Sequence, residues 1–120
     1  MTTRDCHKVV RWFRRSLGLR EWTINLAIGE SGPPGRDIDG DPGRLGQCWP
    51  ELRAKTATIW VSPDRCRLAG IDPIRVLCHE LWHVCLCEAG VENAGDDRSE
   101  CLWDQLDPIL CEAYTHKCQT

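Results

Sequence analysis

The chain has 120 residues, a length that fits one domain, and its 42% hydrophobic and 28% charged residues are typical of a folded chain. Fifteen basic against eighteen acidic residues give a net charge of −3, which argues against a nucleic-acid surface over the whole domain. No apolar stretch approaches the length of a membrane span, and the residues after Met1 lack the apolar segment of a signal peptide. We therefore expect a single domain over residues 1–120 in the cytoplasm, with no membrane partner and with nucleic acid disfavoured as a partner.

Nine cysteines are the unusual feature of the composition. In a reducing compartment thiols are more often buried, metal-bound or reactive than paired, and an odd number cannot pair completely. No C-x-x-C spacing indicates a separate zinc knuckle. We expect Cys78, Cys85, Cys87 and Cys101 to be small buried side chains. Disulfides or a second metal are the alternative for four others, namely Cys48, Cys66, Cys111 and Cys118.

The first predicted element is an amphipathic helix over residues 3–17. Val9, Phe13 and Leu17 recur at four-residue intervals and form its apolar face, and Gly18 marks its end. The opposite face is basic, and we expect it to be solvated, with docking to an acidic partner as the alternative. Its basic residues are Arg4, Lys8, Arg11 and Arg15.

Two or three strands are predicted next. Residues 22–28 alternate apolar and polar side chains, which is typical of a half-buried strand. Residues 29–46 are rich in Gly, Pro and Asp and predict an irregular loop within the domain. A short strand over 45–51, ended by Pro50, and a clearer one over 54–61 follow, and residues 62–64 end the latter.

The next predicted helix begins at Asp72-Pro73, where Asp is the N-cap and Pro occupies the first helical position. It should run to Ala89 and stop at Gly90, which suits the left-handed position after a helix. A polar stretch over 92–97 leads into a last helix over about 98–114. The order of helix, strands, helix and helix predicts an α+β fold.

The residues with the clearest chemistry lie inside the helix over 73–89. His79-Glu80-Leu81-Trp82-His83 is an H-E-x-x-H sequence, whose two histidines lie one turn apart on the same helix face and can reach one metal ion. The glutamate projects beside that face, where it can hydrogen-bond a metal-bound water. The alternative is a surface histidine pair with a solvated glutamate. The apolar residues around the motif over 76–87 favour a buried helix, in which an unpartnered glutamate would be costly.

A catalytic zinc takes three protein ligands and a water, so a third ligand is needed. Glu100, at the start of the last predicted helix, is the candidate, and Asp104 one turn later could accept the N–H of a ligand histidine and fix its tautomer. Glu100 also fits a capping pattern over residues 97–100, in which it would bond the N-cap amide instead. For Asp104 the alternative is a solvated helix position.

Together these residues resemble the gluzincin metallopeptidases, in particular the minimal zincin-like peptidases of bacteria and phages. His79-Glu80-x-x-His83 and Glu100-x-x-x-Asp104 carry the resemblance, which covers roughly residues 22–110, with residues 57–61 as weaker support. It implies a zincin-like α+β fold, with a small, mostly antiparallel three-stranded sheet packed on the active-site helix between an N-terminal and a C-terminal helix. It also implies that the strand over 54–61 is the sheet edge that binds an extended peptide.

The resemblance further implies one zinc ion and hydrolysis of a peptide or protein substrate. Zinc held by His79, His83 and Glu100 would lower the pKa of its water, and Glu80 would act as general base. Larger gluzincins use a Tyr or His of a further subdomain to stabilise the oxyanion. The residues available for that role here are Tyr114, His116 and Arg98.

Two other functions fit the same residues. In a non-catalytic, zinc-stabilised interaction module, Cys87 or Cys101 would close the fourth position of the metal. In a DNA-associated or repressor-cleaving peptidase, the basic face over 4–15 would dock on the partner, with steeply salt-dependent binding. The substrate and the oligomeric state are not indicated by the sequence.

Overall fold

A computed structural model of the chain describes residues 2–33, 35 and 43–90. It contains three helices and one small mixed sheet, so the general α+β class is confirmed. The predicted helix over 98–114 lies outside the described residues. In chain order the elements are α1 (Thr3–Ser16), β1 (Thr23–Ile28), β2 (Gly46–Glu51), β3 (Thr56–Val61), α2 (Pro63–Ala69) and α3 (Pro73–Glu88).

The strand order is β1-β3-β2, with β1 parallel and β2 antiparallel to β3. The expectation of a mostly antiparallel sheet was wrong, because β1 pairs with β3 rather than with β2, its neighbour in the chain. The expectation that the strand over 54–61 is a sheet edge was also wrong, because β3 is the central strand. Ile59, Trp60 and Val61 are all fully buried although successive side chains point to opposite faces, so both faces of β3 are covered at this end of the strand.

Strand β2 contains Pro50, which was expected to end it. In an antiparallel pair, only every second residue directs its N–H and C=O groups at the neighbouring strand. The Ser62 N–H donates to the Leu45 carbonyl at 2.9 Å, so it is the odd-numbered residues of β2 whose backbone groups face β3. The backbone groups of Gly46, Cys48 and Pro50 therefore point away from β3. Pro50 fits because its missing N–H would not have bonded β3. At the following turn Lys55 adopts a left-handed conformation (φ 54°).

Helix α1 begins with a capping box. The Thr2 hydroxyl accepts from the Asp5 N–H at 3.1 Å, and the Asp5 carboxylate accepts from the Thr2 N–H at 2.9 Å. The predicted bounds of 3–17 were correct to within one residue. The buried face of the helix consists of Cys6, Val9, Val10 and Phe13.

Helix α2 was not predicted, because residues 62–64 were interpreted only as the end of the preceding strand. Ser62 is its N-cap and accepts from the Arg65 N–H at 3.2 Å, Pro63 opens it, and Gly70 ends it in the left-handed conformation. The Ser62 hydroxyl also donates to Glu30 at 2.6 Å, which satisfies a fully buried polar group.

Helix α3 packs against α1, α2, β2 and β3. Its N-cap is Asp72, as predicted, and Gly90 after its end has a φ of 74°. At its last residue the Glu88 carboxylate accepts from the Trp22 indole N–H at 2.7 Å and from the Lys55 ammonium. This contact ties α3 to the start of β1 and to the β2–β3 turn. None of the helices in the described ranges has the length and apolar character needed to cross a membrane.

Candidate metal site

The H-E-x-x-H side chains lie together on one face of α3. One ligand atom each of His79, Glu80 and His83 lies within 4.8 Å of the other two. The two imidazole ring centroids are 5.3 Å apart, with an angle of 67° between the ring planes. His79 Nε2 lies 4.0 Å from Glu80 Oε1, which is too long for a hydrogen bond. The group could therefore hold a metal ion, and it contains the two histidines predicted as ligands together with Glu80, which was predicted as the general base.

The side chains of Glu80 and His79 differ in their exposure to solvent. Glu80 is buried, with 6% of its surface accessible, whereas the His79 side chain is 31% exposed. A carboxylate this deeply buried is costly unless polar or charged groups accompany it. The structure therefore contradicts the alternative of a solvated glutamate.

Gly46, at the start of β2, determines how closely the sheet approaches this face of α3. A Cβ atom at Gly46 would lie 2.8 Å from Val76 Cγ1, 2.9 Å from the Trp60 carbonyl oxygen and 3.4 Å from Glu80 Cγ. Only glycine lets the β2 backbone lie against the helix beside Glu80. The sequence contained a signal for this residue, since an isolated glycine in a strand often marks a close backbone approach.

The electrostatic environment keeps His83 neutral. Burial, with additional contributions from neighbouring His79 and Arg44 in the same direction, lowers its pKa to about 3. A neutral imidazole has a lone pair available for a metal, whereas an imidazolium does not. At neutral pH His83 is therefore in the protonation state that metal binding requires.

A cleft of about 410 Å³ opens beside His79 and Glu80. We call it the α3 cleft. Its volume falls in the range of small-molecule and side-chain binding sites. The remaining lining residues come from the start of β2 and the residues before it, from the segment between α2 and α3, and from the first turns of α3. They are Arg44, Leu45, Gly46, Ile71, Arg75 and Val76.

The cysteines near the site pack as apolar side chains. The six described cysteines form no disulfide with one another, so Cys48 and Cys66 do not pair. Burial raises the pKa of the Cys85 thiol to about 12, so it is protonated at neutral pH. Cys78 is buried like Cys85, as expected for both, whereas Cys87, for which the same was expected, is only partly buried. Within the described part of the chain, the group that could hold a metal contains no cysteine, and Cys87 is not part of it.

The other predicted site residues lie outside the described residues. Glu100 as third ligand, Asp104 as hydrogen-bond acceptor and Cys101 as a competing ligand therefore stay predictions. The same holds for the oxyanion candidates Arg98, Tyr114 and His116.

Comparison of the chain with family models, curated proteins and solved structures finds no match. The fold and the site together define a general class, an α+β protein with a His-Glu-His group on a buried helix that could hold a metal ion. The identity of the metal and any activity are matters of proposal.

Proposed function

We propose that the chain is a zinc-dependent peptidase with its active site on α3. The observation that carries this proposal is the convergence of His79, Glu80 and His83 within 4.8 Å, with the glutamate buried and one histidine held neutral. Imidazole nitrogen is a preferred zinc ligand, so the donor set fits this ion. Glu100 completes the ligand set in this proposal.

The two histidines and the glutamate have different roles in this proposal. His79 and His83 bind the ion through imidazole nitrogens, and zinc bound there supplies Lewis acidity and a water of lowered pKa. Glu80 takes a proton from the attacking water and passes it to the leaving amine. Burial of Glu80 against Gly46 limits its rotation and keeps competing bulk water away from the carboxylate.

The α3 cleft is the proposed position of the peptide. Because β3 is central, β2 is the strand that borders the cleft, and Gly46 brings it against the site. Arg75 lines the cleft one helical turn before His79, which favours substrates with an acidic side chain near the cleaved bond.

The test compares wild type with Glu80→Gln on a library of fluorescence-quenched peptides with acidic, basic and apolar positions. We expect Glu80→Gln to keep its zinc content, measured by mass spectrometry, and to lose hydrolysis by at least about 100-fold. His79→Ala and His83→Ala should lose the zinc itself. Glu21→Gln, an exposed glutamate before β1, is the matched control and should behave as wild type.

Two outcomes would contradict the proposal. If Glu80→Gln hydrolyses peptides at the wild-type rate, Glu80 is not the general base. Wild-type protein that binds one zinc ion and hydrolyses no peptide of the library would favour the non-catalytic, zinc-stabilised module.

A further inference from the structure

The N-terminal part of the chain carries positive charge that the rest does not share. Residues 2–20 contain six Arg or Lys and one acidic residue, whereas residues 21–120 contain nine basic and seventeen acidic ones. The single acidic residue, Asp5, is engaged in the capping box with Thr2. A net charge of −3 for the whole chain therefore conceals a strongly basic α1.

Four of these cations line one concavity of about 530 Å³, which we call the arginine groove. It is lined by Arg11, Arg14, Arg15 and Arg20. Among the described residues, none of the four guanidinium groups forms an ion pair. Four like charges without a counter-charge repel one another, so the groove is suited to an anion.

Arg14 shows that the groove is partly ordered and has an unsatisfied donor. Its side chain donates to the Arg20 carbonyl at 2.8 Å, which joins α1 to the segment after it. Its Nε atom is buried and has no hydrogen-bond partner. A buried donor without a partner costs free energy that an anionic acceptor would recover.

The positive surface continues along α1 beyond the arginine groove. An adjoining concavity is lined by Lys8, Arg11, Trp12, Arg15 and Ser16. From Arg4 to Arg15 the row of cations covers eleven residue steps, about 16 Å at the α-helical rise. An extended partner with repeating negative charges matches such a row better than a single small anion.

We propose that this face of α1, centred on the arginine groove, binds the phosphate backbone of a nucleic acid. Guanidinium groups bind phosphate oxygens in a bidentate manner, and half-buried Trp12 among the cations offers a surface on which a base can stack. A membrane surface would require apolar anchors beside the cations, and among the described residues the large exposed apolar side chains lie elsewhere. Those residues are Ile28, Leu52, Leu68 and Ile71.

The test measures fluorescence anisotropy of a labelled 20-nucleotide DNA strand and of the corresponding duplex, titrated with the full chain. Four phosphate contacts predict a roughly 50- to 150-fold loss of affinity between 50 and 200 mM salt. Arg11→Glu and Arg15→Glu should each weaken binding at 50 mM salt by at least about 10-fold. Arg53→Glu makes the same charge change at an exposed position in the β2–β3 turn, and it should leave affinity within about 2-fold of wild type.

Circular dichroism checks that each variant is folded, and Arg11→Gln replaces Arg11→Glu if that variant unfolds. The proposal is overturned if neither DNA binds at 50 mM salt, or if Arg53→Glu weakens binding as much as Arg11→Glu. It is equally overturned if polyglutamate or phosphatidylserine vesicles bind as tightly as DNA, since the partner would then be an acidic protein or a membrane. Zinc and peptide hydrolysis do not enter this readout, so the outcome is independent of the proposed peptidase activity.

Discussion

Replacing Gly46 by alanine tests the contact between the sheet and α3 at one atom. The added Cβ would lie 2.8 Å from Val76 Cγ1 and 2.9 Å from the Trp60 carbonyl oxygen. Neither neighbour can yield easily, because valine in a helix has one strongly preferred rotamer and the oxygen belongs to the backbone of the central strand. Strand β2 or helix α3 must therefore shift.

The size of the effect follows from two opposing contributions. Overpacking a well-packed site by one methyl group costs about 1–3 kcal/mol, whereas the loss of glycine's freedom in the unfolded chain returns about 0.4–1 kcal/mol. We expect Gly46→Ala to lower the free energy of unfolding by about 1–2 kcal/mol. In a chain of this length that corresponds to a fall in Tm of about 4–8 °C.

The assay is urea unfolding followed by circular dichroism, applied to a double-mutant cycle with Val76→Ala. Removing Val76 Cγ1 relieves one of the two close approaches, so Gly46→Ala should cost less in the Val76→Ala background by at least about 0.5 kcal/mol. If Gly46→Ala is as stable as wild type, or costs the same in both backgrounds, then close packing against Val76 is not the reason for a glycine at this position.

Two further predictions concern the ends of the helices. Hydrogen bonds from Lys55 and, to a smaller extent, from Trp22 lower the pKa of Glu88 below its ordinary value of 4.5. The ionised carboxylate therefore stabilises the fold above pH 4.5, and this stabilisation is lost as the pH falls through the lowered pKa. Glu88→Gln should therefore be less stable than wild type at pH 7, with a smaller difference in Tm at pH 3; an equal difference at both values would show that charge is not involved. Thr2→Ala removes the cap of α1 and should lower the free energy of unfolding in urea by about 1 kcal/mol, whereas Thr2→Ser keeps the hydroxyl and should lower it little. An equal loss of stability in both variants would show that the hydroxyl is not responsible.

Local signals in the sequence were sufficient for the long helices and for the proximity of His79, Glu80 and His83. The bounds of α1 and α3 follow from apolar periodicity and from caps such as Asp72, which act within a few residues. The proximity of His79 and His83 follows from helix geometry alone, since residues four apart lie on the same face. No tertiary contact had to be known for either result.

Apart from α2, whose local signals at Ser62, Pro63 and Gly70 were overlooked, the errors concern contacts between distant parts of the chain. Alternation of side chains predicts a strand and its buried face, but it does not specify the neighbouring strand, so the pairing of β1 with β3 was missed. Pro50 was misjudged because its effect depends on whether its nitrogen faces the sheet. The α3 cleft likewise depends on the docking of β2 through Gly46, which the spacing of residues cannot reveal.

The position of Pro50 has a consequence for the behaviour of the protein at high concentration. Edge strands can recruit a second sheet because their outward N–H and C=O groups act as a template. On the outward side of β2 the proline supplies no donor, which leaves at most Gly46 and Cys48 to donate along six residues. With so few donors, a second β2 strand would gain little binding free energy from backbone hydrogen bonds to this edge. The edge is thereby protected against sheet-to-sheet polymerisation.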